Sequence, residues 1–208
     1  MSRPLLVFGA VFAAGVIALF VFAVVERRDQ AFTLGVVPAS ALEAHGGQTI
    51  CQRPIDVSAD FQRVRLYLLP RERASVQVRD AATSRTLASG AGRADEQGAF
   101  TVALDREVPE GSRIALCLPG PITVGGNAPL AARSSSARLD GRSMDADVAV
   151  VFLRQDSASL LQLTGNVLER ASLFHGSWVR PWVMGLLALL LLTAFPLLLG
   201  VALRESSR

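Results

Sequence analysis

The sequence has no lysine; all 21 of its basic residues are arginine. It has two histidines, two cysteines and one tyrosine in 208 residues, and aromatics make up only 6%. Two cysteines are too few for a disulfide-scaffold miniprotein or a cysteine zinc cluster. Two histidines, His45 and His175, lie far apart in the chain and make a histidine-based metal or catalytic centre scarce. The missing lysine reads as a bias toward GC-rich codons rather than a nucleic-acid footprint. A nucleic-acid binder would cluster basic residues with aromatics between them. Here Arg63, Arg65, Arg71, Arg73 and Arg79 are interleaved with apolar residues and acids, as on the solvated face of strands.

Recognisable catalytic signatures are also missing. Gly90-Ala91-Gly92 and Gly125-Gly126 are not followed by the helix and partner residues of a nucleotide-binding loop. No serine sits in a G-x-S-x-G elbow. Asp140, Asp145 and Asp147 lie close together around Gly141, but they match no EF-hand loop and have Arg138 and Arg142 as neighbours. They read as a solvated loop. Carbohydrate sites usually offer a stacking ring, and outside the apolar runs and their flanking segments only Phe61, Tyr67, Phe100 and Phe152 are available. Strand alternation places most of these in a core. No catalytic, cofactor-binding or metal-ligating residue is assigned.

What the sequence does have is apolar residues, at 50%, and a charged fraction of only 19%, which excludes disorder. They are concentrated at the ends. Residues 4–25 and 181–203 carry no charge. At about 1.5 Å per residue each run reaches roughly 33 Å as a helix, enough for a hydrocarbon core of about 30 Å. Both read as transmembrane helices, since helices satisfy their own backbone in lipid. The first reads as an uncleaved anchor. Its n-region is only Met1, Ser2 and Arg3, and it ends in Phe22-Ala23-Val24-Val25-Glu26 without a small-x-small cleavage site. Gly9, Ala10, Ala13, Ala14 and Ala18 form a small-residue face in it that suits helix packing. The spans contain no ionisable group, which argues against a pump or channel acting alone.

The segment between the runs holds 18 of the arginines and 17 of the 18 acids. Residues 27–48 read as a linker with a helical turn near Ala39 to Ala44. Short alternating runs then recur between Gly, Pro, Asp and Ser punctuation. They predict strands at 49–51, 64–69, 75–79, 86–89, 99–104, 113–118, 122–124, 137–139 and 148–153. Many short strands with no long helix predict an antiparallel β-sandwich or jelly-roll-like domain over 49–155. Asp156-Ser157 as N-cap and the spacing of Leu160, Leu161, Leu163, Val167, Leu168, Ala171 and Phe174 predict an amphipathic juxtamembrane helix over 156–176. The organisation is then an anchor helix at 1–26, the linker, the β domain, the juxtamembrane helix, a second transmembrane helix at 178–204 and a tail at 205–208.

Cys51 and Cys117 both fall in predicted strands, and a bridge between them fits an exported domain. Trp178 and Trp182, with Arg180 between them, suit the membrane interface as anchors. Together these features place both termini in the cytoplasm and the intervening segment outside the plasma membrane. In arrangement the chain resembles the two-span exported sandwich proteins that accompany envelope-polysaccharide machinery in GC-rich bacteria. The resemblance rests on architecture and on no motif. The expected role is a non-enzymatic accessory or binding subunit of a cell-envelope complex. Its expected partners are the lipid bilayer and either a membrane protein or an envelope glycan, with no nucleic acid. The alternative is an exported enzyme acting on an envelope glycan or lipid-linked substrate, with Asp145 or Asp147 as candidate carboxylates.

Overall fold

The computed structural model describes residues 3–127, 135–164 and 181–205. Contacts divide the chain into a β unit, Asp29–Ser157, and a second unit made of the chain ends, Met1–Arg28 with Ala158–Arg208. The fold is mainly antiparallel β.

Among the described residues, thirteen strands run in chain order as β1 (Arg27–Thr33), β2 (Ser40–Ala44), β3 (Thr49–Asp56), β4 (Phe61–Tyr67), β5 (Arg73–Asp80), β6 (Thr86–Arg93), β7 (Ala99–Val108), β8 (Arg113–Pro119), β9 (Ile122–Asn127), β10 (Ser136–Leu139), β11 (Arg142–Ser143), β12 (Asp147–Val148) and β13 (Val150–Ser159). They form three sheets, ordered β1-β13-β4-β7, β11-β10-β3-β8-β5-β6 and β12-β9-β2. Eight of the nine strands expected from the alternation are present as single strands, and the ninth, 148–153, is divided at Ala149 into β12 and β13. Three were not expected: β1, β2 and the two-residue strand β11. The segment read as a linker therefore folds as two strands, and Ser40–Ala44 is extended rather than helical. The local pattern there is weak. Pairing with β13 and β9 decides the outcome, which is tertiary context overriding propensity.

All three sheets contribute to one apolar core. Phe61, Phe100, Phe152, Ile50, Leu66, Ile114 and Leu118 are fully buried within it. Phe152 stacks on Phe32 with centroids 4.3 Å apart and meets Phe61 edge-on at 4.7 Å. Phe32 comes from β1, so the unexpected strand closes the core rather than tethering it. Gly90 of β6 is required by close approach: a Cβ there would collide with the Ala103 carbonyl of β7, where strands of different sheets meet.

The core also holds a polar cluster. Gln52 Nε2 donates to Asp147 Oδ1 and to Ser135 Oγ, each at 2.8 Å, while Gln52 Oε1 accepts from the Val148 amide at 2.9 Å. Gln52 and Asp147 are both buried, and hydrogen bonding is what makes that tolerable. The cluster ties β3 to β12.

In the second unit, α1 (Arg3–Val25) is long and apolar enough to cross a membrane. The Glu26 amide continues its ladder by donating to the Phe22 carbonyl at 2.8 Å. Another helix, α2, spans Pro181–Glu205, 25 residues, and contains Pro196. Asp156 and Ser157 do not cap a helix; both lie in β13. The helical turn at 160–164 is capped by Ser159 instead. Its Oγ accepts from the Gln162 amide at 3.3 Å, and the Ser159 amide donates to Gln162 Oε1 at 3.0 Å. This is a capping box, serine at the cap and glutamine three residues on. The rest of the expected amphipathic helix lies outside the described residues.

Candidate functional site: an arginine-lined groove beside the disulfide

The six-stranded sheet has two unlike faces, and its register shows how. Arg138 of β10 stands opposite Cys51 of β3, Cys51 opposite Cys117 of β8, and Cys117 opposite Gln77 of β5. Directly opposed residues share a face, so these four form one row. Side chains two positions along point the same way. That adds Arg53 on β3, Ala115 and Arg113 on β8, and Arg79 on β5 to the face. The alternate set, Ile50, Gln52, Leu116, Leu118, Val76, Val78 and Ala137, turns into the core. One sheet thus separates an apolar interior from an arginine-bearing exterior.

Cys51 and Cys117 are bonded to each other, as their placement in strands predicted, with Cα atoms 4.1 Å apart. That separation suits the closer, non-hydrogen-bonded type of antiparallel pair. The bridge cross-links neighbouring central strands beneath the arginines.

Beside it lies an open groove of about 320 Å³ lined by Arg53, Pro54, Ala81, Ala82, Arg113 and Arg138. A bulge in β3 and the β5–β6 turn build it. Between Gln52 and Ile55 the β3–β8 register shifts, so Arg53 and Pro54 bulge where Pro54 has no amide to give the ladder. The β5–β6 turn supplies Ala81 and Ala82, held by Asp80. Its Oδ1 accepts from the amides of Ala82 at 3.0 Å and Thr83 at 2.7 Å and from Thr83 Oγ1 at 2.8 Å. The Thr83 amide is the main reason that the Asp80 carboxyl titrates below its ordinary range. The Ala81 amide donates to the Arg113 carbonyl at 2.9 Å, which docks the turn on β8.

The three guanidiniums are weakly compensated. Arg113 Nε lies 3.5 Å from Asp56 Oδ1, an exposed pair of a kind worth about 0–1 kcal/mol. Arg138 Nε is buried and has no hydrogen-bond partner among the described residues. A buried donor left unmatched costs about 1–3 kcal/mol, more when charged. Arg79, by contrast, is occupied: its Nε and Nη2 donate to Gln77 Oε1 at 3.2 and 2.6 Å.

A second groove of about 290 Å³ is lined by Pro38, Ser40, Tyr67, Leu69, Thr123 and Gly125 among others. Tyr67 is 37% exposed, whereas Phe61, Phe100 and Phe152 are buried, so it is the one ring of those four available for stacking.

The remaining sequence candidates separate. Asp140 Oδ1 accepts from the Thr49 amide at 2.9 Å, Asp145 is exposed and bonds Ser143 within its own turn, and Asp147 is inside the core. They do not converge, and no group of three metal-ligating side chains occurs among the described residues. Asp145 and Asp147, the carboxylates considered for an enzyme, face solvent and core respectively. His45 lies between β2 and β3, with its amide donating to Gln48 Oε1 at 2.8 Å. His175, Trp178 and Arg180 lie outside the described residues. Trp182 is the second residue of α2 and is 62% exposed. Gly9, Ala10, Ala13, Ala14 and Ala18 are all exposed on α1.

The groove was not legible beforehand, because Arg53, Arg113 and Arg138 are scattered along the chain and only strand register gathers them. Compared with known protein families and with curated proteins, the chain matches no family model and no curated relative.

Proposed function

We propose that this chain is a membrane-anchored, extracytoplasmic binding module, a non-enzymatic accessory subunit of a cell-envelope assembly. The observation that carries the reading is a junction of opposites. An apolar helix of membrane-spanning length ends at Val25, and a disulfide-tied β domain begins its first strand at Arg27. The bridge is compatible with export, since disulfides persist outside the cytosol. In this reading α2 is the return span, and its uncharged stretch and Trp182 support that role. The β domain then lies outside between two anchors, with sandwich-like packing of its sheets. Binding is supported by two open grooves on a rigid β scaffold, one basic and one bearing Tyr67.

The test is crosslinking in native membranes followed by purification in mild detergent. The expected result is recovery with a membrane-protein or envelope-polymer partner, reduced by charge-neutralising changes in the arginine groove. Recovery only as a lone monomer, without crosslinks, overturns the accessory role.

A further inference from the structure

We propose that the groove formed by Arg53, Arg113 and Arg138 is a binding site for a phosphate group. The argument starts from donor geometry. A single guanidinium fork saturates the two oxygens of a carboxylate. Three arginines lining one groove suit an oxyanion with three or more acceptor oxygens and more than one negative charge. Phosphate and its esters meet that description. Asp56 is the only carboxylate paired with any of the three arginines among the described residues, and it is paired loosely, at 3.5 Å from Arg113.

The Arg138 Nε donor supplies the second, independent observation. It is buried, lacks a protein partner among the described residues, and belongs to a side chain that lines the groove. An acceptor in the groove reaches it once the Arg138 side chain turns this edge outward on binding, which ends the cost of the unmatched donor. The scaffold is pre-organised for this. Arg53 is held at a register shift, Arg113 in a central strand beside the docked β5–β6 turn, and Arg138 opposite a disulfide-bonded cysteine. A ligand therefore orders little backbone on binding. The shared chemistry, a phosphate oxyanion, has two sources in an envelope: free phosphate or a phosphomonoester, and the phosphodiester of a lipid headgroup or polymer. This inference deepens the binding-module reading and rests on it.

The experiment uses the full chain in an uncharged detergent, with calorimetric titration at constant ionic strength. Inorganic phosphate, glycerol 3-phosphate and glycerophosphoglycerol are the probes, and citrate is the carboxylate comparison. Saturable binding of at least one phosphate probe is expected, stronger than that of citrate. Arg138→Gln and Arg53→Gln should each weaken it roughly tenfold or more, the size expected for a lost hydrogen bond between charged groups. Arg93→Gln, on an exposed β6 arginine outside the groove, should leave it unchanged. Arg138→Lys keeps the charge without the fork and should fall between wild type and Arg138→Gln. Thermal melts of each variant separate lost binding from lost folding. A preference for the monoester assigns a free or terminal phosphate, and a preference for the diester assigns a headgroup or polymer. No saturable binding in the millimolar range, citrate binding as tightly as phosphate, or an Arg138→Gln protein that folds and binds like wild type would each overturn the proposal. A chain that proves exported but fails these titrations loses the phosphate site alone, whereas an inverted topology removes the reading beneath it.

Discussion

Phenylalanine is used in two opposite ways in this chain. Phe32, Phe61, Phe100 and Phe152 are enclosed by the β domain, while Phe12, Phe20 and Phe22 stand exposed on α1, Phe20 at 59%. Side chains of one chemistry are enclosed by protein in one unit and left largely uncovered in the other, where Phe12 meets only a ring of its own helix, Phe8, among the described aromatic contacts. The β domain satisfies its apolar residues internally, so it carries the marks of a self-sufficient fold: one core, a buried polar cluster with partners, and a cross-strand disulfide. The helix does not. A row of exposed Leu, Val and Phe on a 23-residue helix is unfavourable in water and favourable in a bilayer. The difference separates a domain folded around its own core from a helix long and apolar enough to cross a membrane.

The largest expected effects test that contrast directly. Phe152→Ala should destabilise the β domain by about 3–5 kcal/mol, because it opens a cavity in a stack of three rings. Phe20→Ala should leave the unfolding midpoint of the same domain unchanged. Urea titration of the full chain in detergent, followed by near-ultraviolet signal, reads both. Equal effects would erase the distinction between the regions.

Replacing Cys51 and Cys117 together with alanine comes next. The bridge closes a separation of 66 residues, so its loss should cost about 4 kcal/mol in the chain-entropy account. The midpoint should fall, and the helical signal should survive. In the opposite direction, Val16→Arg places a charge near the middle of α1, at a cost of about 2.5–3.5 kcal/mol for insertion. Alkaline extraction of membranes should release more of that variant while the β domain stays folded. Gln52→Leu is smaller. It removes the amide that bonds Asp147, Ser135 and the Val148 backbone, and should cost about 1–3 kcal/mol in thermal or urea unfolding.

How far the sequence reaches follows the same division. The apolar run of α1 and the alternation of strands such as Val64-Arg65-Leu66-Tyr67 are local signals, and the structure contains both elements. The cysteines were legible because both fell in strands that alternation already marked. Three kinds of feature were not legible. Strands β1 and β2 have weak alternation and exist through their partners in β13 and β9. The start of the turn at 160–164 was misplaced because Asp156-Ser157 and Ser159 are all plausible caps. Only Ser159 has a glutamine three residues on to complete the box, and that was the overlooked signal. The arginine groove depends on a register shift between Gln52 and Ile55 and on the pairing of β10 with β3. Neither is encoded at short range.

The smallest prediction concerns acid. The carboxyls of Asp80 and Asp105 titrate below the ordinary range, chiefly because the Thr83 and Ser89 amides donate to them. The folded state therefore binds these protons less readily than the unfolded chain. Their contribution is full above the unfolded value of about 3.9 and is lost as pH falls through the folded values. A double Asp80→Asn, Asp105→Asn variant should show a shallower loss of melting temperature below about pH 4 than the parent. Asp105 is exposed and Asp80 half-buried at the surface, so solvent screens both and the change should be modest.

The central claim is that the disulfide-tied β domain lies outside a membrane that α1 anchors. It is tested most directly by cysteine accessibility in intact cells, since both native cysteines are bonded and silent to thiol probes. Glu96 is 73% exposed on the β domain, and Ser206 follows α2. With a probe that cannot cross the membrane, Glu96→Cys should label in intact cells, while Ser206→Cys should label only after permeabilisation. Labelling of Ser206→Cys but not Glu96→Cys in intact cells would contradict the account.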